Sequence, residues 1–261
     1  MKGKRRIIIS VVAGVLEICL LAGVLLIAYL GSFSHAENGR VNEYLKNTEI
    51  EINEINRRTT SFIPKQAHAG LIFYPGGKVE VDAYFPLMAE CAKNGILSVI
   101  VEMPFNLAVF DINAADGIKE KFPEIQSWYI GGHSLGGSMA ASYLEKHQEE
   151  FDGLVLLGSY STIDFSHTDL SVLSIYGEND GVMNREKYEQ NKKNLPNNTT
   201  EFIIEGGNHA FFGMYGHQIG DGEATVSEEQ QIEITSEKIA SFLEKSSKTL
   251  DKVCSKRLKS N

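Results

Sequence analysis

The chain has 261 residues, 43% hydrophobic and 23% charged, with a net charge of −9 and three cysteines. That length suits one large domain or two small ones with a sizeable core, and an acidic total without a basic cluster in its middle argues against a nucleic-acid footprint. Cys19, Cys91 and Cys254 make no disulfide framework, and no paired Cys/His spacing suggests a zinc site.

The charge is unevenly placed. Lys2, Lys4, Arg5 and Arg6 against Glu17 give residues 1–30 a charge of +3, which leaves −12 for the remainder. From Ile7 to Leu30 the chain is predominantly apolar, with Glu17 its one charged side chain. About 20 apolar residues in a helix span a bilayer, whereas the apolar part of a cleavable signal peptide is roughly 7–15 residues long. Residues 1–36 are therefore expected to be a basic cytoplasmic start and an uncleaved transmembrane anchor. Only Arg40 follows the span closely, so the positive-inside rule puts the N-terminus in the cytoplasm and the main domain outside the cell. The competing reading is cleavage after Ser34-His35-Ala36, which would release a secreted domain. Glu17 either faces a partner within the membrane or is a tolerated lone acid.

Residues 37–48 are polar and suit a linker or short linking helix. Ile50, Ile52 and Ile55 begin a period-2 pattern that resumes at Thr59–Ile63, as expected of a hairpin. Beyond Ala67 short apolar runs recur at residues 70–74, 96–102, 127–130, 154–157, 172–176 and 201–204. Helical stretches are expected near 81–94, 114–121, 136–147, 185–194 and 228–245. This alternation predicts an α/β domain over residues 49–246, its mostly parallel central sheet flanked by helices. Residues 247–261 hold five Lys/Arg and one Asp and read as a basic, frayed tail.

The run Trp128-Tyr129-Ile130 leads into Gly131-Gly132-His133-Ser134-Leu135-Gly136-Gly137 and then a helix-compatible stretch. This is G-x-S-x-G between strand and helix, a sharp turn that projects the Ser134 hydroxyl while Gly132 and Gly136 allow close packing. The Leu135 amide would point at a developing oxyanion. A serine nucleophile needs a general base oriented by a carboxylate. Asp180 follows the run 172–176 and His209 the run 201–204, at carboxyl ends where site residues of open α/β sheets collect. Glu178 is the rival to Asp180, but its longer side chain fits the turn edge less well. No strand aims His217 at the cleft, and His133 suits packing at the elbow. A second oxyanion donor is expected after Leu71–Tyr74, with the Gly77 amide first choice and Gly76 and Lys78 close behind. Phe105, Asn106, Phe211 and Phe212 are candidates for the pocket lining, or else ordinary core and loop residues.

With these residues in view, the chain resembles the alpha/beta-hydrolase superfamily, and particularly its small uncapped "fold-5" group of bacterial proteins. The likeness runs from Ala69 to Gln231 and rests on LIFYPGGKVE, EMPFNLAVF, GGHSLGG, YGENDGV and GGNHAFFGMYGHQIGDGEAT. It implies an alpha/beta-hydrolase fold, a Ser134–His209–Asp180 triad and hydrolysis of a small-molecule acyl substrate through an acyl-enzyme, with no cofactor and no metal. Relatives with cysteine or aspartate at the elbow, dienelactone hydrolases and haloalkane dehalogenases, are disfavoured by Ser134. Only residues 158–171 lie where lid domains usually enter, so no lid domain is expected. Acyl transfer by the same triad, or a catalytically silent anchored binding domain, are the alternatives.

Overall fold

The structure is a computed structural model that describes residues 2–259, with side chains described for Lys4 and residues 9–246. Two compact units divide it, residues 1–33 and residues 34–261. The first is the helix α1 (Lys2–Gly31). Its stretch Ile9–Gly31 is long and apolar enough to cross a membrane, and side chains such as Leu16, Ile18, Leu20 and Ile27 are exposed. Helix formation there follows from a run of Ile, Val, Leu and Ala without proline.

The second unit is built on an eight-stranded sheet. Its strands are β1 (Glu51–Asn56), β2 (Thr59–Ile63), β3 (Ala69–Tyr74), β4 (Ile96–Val101), β5 (Trp128–His133), β6 (Gly153–Leu157), β7 (Ser171–Gly177) and β8 (Thr200–Ile204). They lie in the order β1-β2-β4-β3-β5-β6-β7-β8. The β1–β2 hairpin adds to β4 antiparallel, and every pairing from β4 to β8 is parallel. Strand order reverses at β3, with β4 on one side and β5 on the other. The crevice beyond the carboxyl ends of β3 and β5 is thus a switch point, the usual ligand site of an open α/β sheet.

Side-chain alternation divides the core in two. Leu71, Phe73, Val155, Leu157, Leu173 and Ile175 face one layer with Leu87 and Met88 of α3 (Phe85–Lys93) and Ile239 and Leu243 of α6 (Glu228–Lys259). Ile72, Tyr74, Leu154, Leu156 and Val172 face the other, with Ala140 and Leu144 of α4 (Leu135–Leu144). Runs that are apolar at every position are what a sheet covered on both faces requires.

Residues 37–48, read as a linker or short linking helix, contain α2 (Asn38–Lys46), whose Val41 is buried in the first core layer. Two segments differ from expectation. Residues 114–121 form turns with one short 3-10 segment at Lys119–Lys121, because Gly117 adopts φ +72°, outside the helical region, in the middle of the stretch. The expected tail is helical as far as Lys259, consistent with the absence of glycine and proline beyond Gly222. Ser260 and Asn261 lie outside the described residues. Residues 185–194 comprise α5 (Arg185–Asn191) and one 3-10 turn.

Candidate active site

Ser134 joins β5 to α4 at φ 52°, ψ −121°, a left-handed region that costs a non-glycine residue on the order of 1–3 kcal/mol. Its amide donates to the Leu157 carbonyl at 2.9 Å, and its carbonyl accepts from the Ser159 hydroxyl at 2.7 Å. The turn is tight enough that a Cβ on Gly136 would sit 2.2 Å from the Pro75 and Tyr74 carbonyl oxygens, and one on Gly132 2.5 Å from the Tyr74 oxygen. The G-x-S-x-G glycines are thus needed for backbone contact between the elbow and the end of β3.

Asp180 and His209 come from the loops after β7 and β8. The Asp180 Oδ2 lies 2.8 Å from His209 Nδ1, and both residues are buried. Asp180 Oδ1 accepts from the amides of Val182 at 3.0 Å and Met183 at 2.8 Å, which fixes the carboxylate from behind. An ionised Asp180 beside Nδ1 selects the tautomer with the proton on Nδ1 and the lone pair on Nε2. Nε2 is buried and makes no hydrogen bond among the described residues, so its lone pair is available to a proton donor. Gly158, after β6, adopts φ +50° directly against this pair, and a Cβ there would lie 2.9 Å from His209 Nδ1 and 3.2 Å from Asp180 Oδ2. Glu178 is turned elsewhere, its Oε2 accepting from the Gly206 amide at 2.9 Å. His217 is exposed.

His133 packs at the elbow. Its Nδ1 lies 2.8 Å from the Tyr84 hydroxyl, and its ring centroid is 4.5 Å from that of His209. Burial, reinforced by repulsion from His209, holds its pKa well below the usual imidazole range. A neutral His133 therefore places no permanent positive charge beside the imidazole that must charge during acid–base work.

The three amides after β3 have different partners. Gly76 N–H donates to the Tyr84 hydroxyl at 3.1 Å, and Lys78 N–H to the Asn106 carbonyl at 2.7 Å. Gly77 N–H makes no hydrogen bond among the described residues, and neither does Leu135 N–H at the start of α4. A Cβ on Gly77 would meet Leu135 Cδ2 at 2.8 Å, so the two loops are in contact. Phe105 and Asn106 both have positive φ (55° and 54°). Asn106 meets the site through its backbone carbonyl. Phe105 is 56% exposed and packs edge-on against Phe110 at 5.7 Å. Phe211 lines a cavity of about 510 Å³ with Asn208, His217 and Glu228. Phe212 is fully buried with its ring 5.2 Å from His133, which makes it a core residue instead of pocket lining.

Asp221 holds this arrangement together. Its Oδ1 accepts from the amides of Gly181 at 3.0 Å, His209 at 3.2 Å and Gly222 at 2.9 Å, and its Oδ2 from Ala210 at 2.8 Å. One carboxylate thus binds the loops that carry Asp180 and His209. Sequence reasoning missed it, as it missed Tyr84, Gly158 and Ser159. Among the described residues no group of three or more His, Cys, Asp or Glu could hold a metal ion.

Residues 70–233 match the profile of the alpha/beta hydrolase family. The chain belongs to the alpha/beta hydrolase family. No curated protein matches it by sequence. Among solved structures, Est1E from Butyrivibrio proteoclasticus is similar to this hydrolase at 14% identity, over 76% of this chain and 98% of that one, with a TM-score of 0.53. Carboxylesterase CesB from Bacillus subtilis is similar at 14% identity, over 78% and 95%, with a TM-score of 0.55. A soluble variant of monoglyceride lipase from Saccharomyces cerevisiae, in complex with a substrate analogue, is similar at 12% identity, over 76% and 96%, with a TM-score of 0.55. These likenesses establish the fold. The hydrolase has no helix or strand between β6 and β7, where only Gly158–Leu170 intervene.

Proposed function

We propose that the chain is a membrane-anchored serine hydrolase that cleaves a carboxylic ester or related acyl bond through Ser134, His209 and Asp180. The observation that carries this reading is the buried 2.8 Å contact between Asp180 and His209, which leaves His209 Nε2 without a protein partner at the site of the Ser134 elbow. An ester is favoured because carboxylesterase and lipase folds are among the structural neighbours.

In the proposed reaction Ser134 Oγ attacks the acyl carbon as His209 Nε2 takes its proton. The carbonyl oxygen, now negative, is held by the amides of Gly77 and Leu135, which have no hydrogen-bond partner among the described residues; a donor of this kind contributes about 3–4 kcal/mol. Collapse breaks the bond to the leaving alcohol, which receives the proton from His209. Water then attacks the acyl-serine with His209 as base, releasing the acid and restoring Ser134. Asp180 stabilises the imidazolium throughout. Residues 1–36 would supply the anchor, with the catalytic domain outside the cell.

The test is a fluorophosphonate probe applied to the full chain in detergent beside Ser134→Ala. Labelling of the parent chain and none of the variant is expected. Equal labelling, or labelling of neither, refutes the serine-hydrolase reading. Protease treatment of intact cells should remove the domain, and its protection would refute the topology.

A further inference from the structure

The loop that bears the proposed oxyanion donor is also where the chain enters its second unit. Ser34 pairs with Val79 in a parallel bridge; its amide donates to the Lys78 carbonyl at 2.8 Å and its carbonyl accepts from the Glu80 amide at 2.9 Å. Gly77 is therefore one residue from the attachment point of the N-terminal chain. In sequence, only Ser32 and Phe33 separate Ser34 from Gly31, the last residue of the apolar stretch. Three Cα steps reach at most about 11 Å, whatever direction the helix takes. Ser34 is thus tethered within about that distance of the end of the apolar stretch, and Gly77 adjoins the Lys78–Glu80 segment with which Ser34 pairs.

The same loop meets an exposed apolar rim. Asn106 accepts from the Lys78 amide, and on either side of it stand Phe105, Val109 and Phe110, exposed by 56%, 45% and 55%. Large apolar side chains gathered on one exposed loop mark an interaction surface. One exposed acid, Glu102, lies nearby, while Asp111 is half-buried and pairs with Arg58. With −12 on residues 31–261, this suits a neutral or zwitterionic surface better than an anionic one.

We infer that the cleft opens onto the leaflet that anchors the chain, with Phe105, Val109 and Phe110 seated among zwitterionic lipids, and that its substrate is a membrane-resident acyl ester. This rests on the anchored serine-hydrolase reading above. The bilayer would keep the acyl chain in an apolar medium while the ester carbonyl, at headgroup depth, reaches Ser134. The requirement for a lid that buries the chain then disappears. Ser134 Oγ forms the bond to the acyl carbon, the ester C–O bond breaks, His209 protonates the departing lipid alcohol, and water releases the fatty acid.

The test reconstitutes the full chain in phosphatidylcholine vesicles. A Gly/Ser insert of roughly 24 residues after Gly31 lengthens the tether by about 27 Å of root-mean-square reach. Turnover of soluble p-nitrophenyl acetate should stay within about twofold, while hydrolysis of dioleoylglycerol in the same vesicles should fall at least about tenfold as the effective concentration drops. Equal response of the two esters overturns the inference. Independently, Phe105→Trp should be quenched by brominated phosphatidylcholine well beyond the parent chain, whose single tryptophan, Trp128, is buried. No added quenching overturns the lipid contact. Failure of both esters together with no fluorophosphonate labelling refutes the serine-hydrolase reading and the substrate assignment with it, leaving quenching to decide the lipid contact alone.

Discussion

Asp221→Asn tests how much of the site depends on a group that touches no reacting atom. The substitution keeps shape and removes charge. If the remaining oxygen stays with Gly181, His209 and Gly222, the new amide NH2 faces the Ala210 N–H, whose bond to Oδ2 is the shortest of the four at 2.8 Å. Ala210 is fully buried, so its donor has no water to turn to. Losing one hydrogen bond to a charged acceptor and stranding a buried donor costs about 3 kcal/mol. For a unit of this size that corresponds to a fall in Tm of about 6–12 °C. Because Ala210 follows His209 directly, the strain falls on the imidazole, and misplacement of a catalytic group costs up to about 100-fold in rate. The assay is a thermal scan beside initial rates on a soluble ester. The expected result is kcat lowered at least about tenfold with KM little changed, since a displaced base weakens the transition state more than ground-state binding. A Tm and a kcat both indistinguishable from the parent would refute the argument that Asp221 positions the two loops.

Other outcomes follow from the same geometry. Asp180→Asn should lower kcat by about 10⁴-fold on an ester substrate, as loss of the orienting carboxylate destabilises the required tautomer; near-normal turnover would move that role to Glu178. Gly158→Ala should reduce labelling by a fluorophosphonate strongly, because its Cβ would sit 2.9 Å from His209 Nδ1; unchanged labelling counts against the tight packing. His133 is buried with its pKa held down, so the unfolded chain binds the extra proton first and stability is lost as pH falls below the ordinary imidazole value near 6.5. That loss has a limiting slope of about 1.4 kcal/mol per pH unit, measured by urea unfolding across pH 5–7, and His133→Gln should flatten it.

The sheet and the order of its elements were legible because the central strands β3 to β6 are short, buried runs and the stretches between them suit helices or loops. Ser134, Asp180 and His209 stood out because each lies in the connection that follows a strand. Their support did not stand out. Asp221 acts only on backbone amides, and an Asp-Gly pair in a loop carries no mark of that use. The amides of Gly76, Gly77 and Lys78 are equivalent in sequence and differ only through tertiary partners, the Tyr84 hydroxyl and the Asn106 carbonyl. The misplaced helix at 114–121 has a similar origin, since the chain breaks at Gly117, whose positive φ is not marked in the sequence.

The plain connection between β6 and β7 bears on how such a scaffold could change its substrate range. Its first residues are committed, with Gly158 against His209 and Ser159 bonded to the Ser134 carbonyl. Farther along, His167 and Asp169 are exposed, while Phe165 and Leu170 are buried on either side of them. Extending a flexible loop costs only about 0.6 kcal/mol for each doubling of its length. A whole subdomain could therefore be inserted near His167 with little thermodynamic penalty and without disturbing the anchors of Asp180. Recruitment of a cap is a short evolutionary step from this architecture, and it would exchange access from an open surface for selection by an enclosed one.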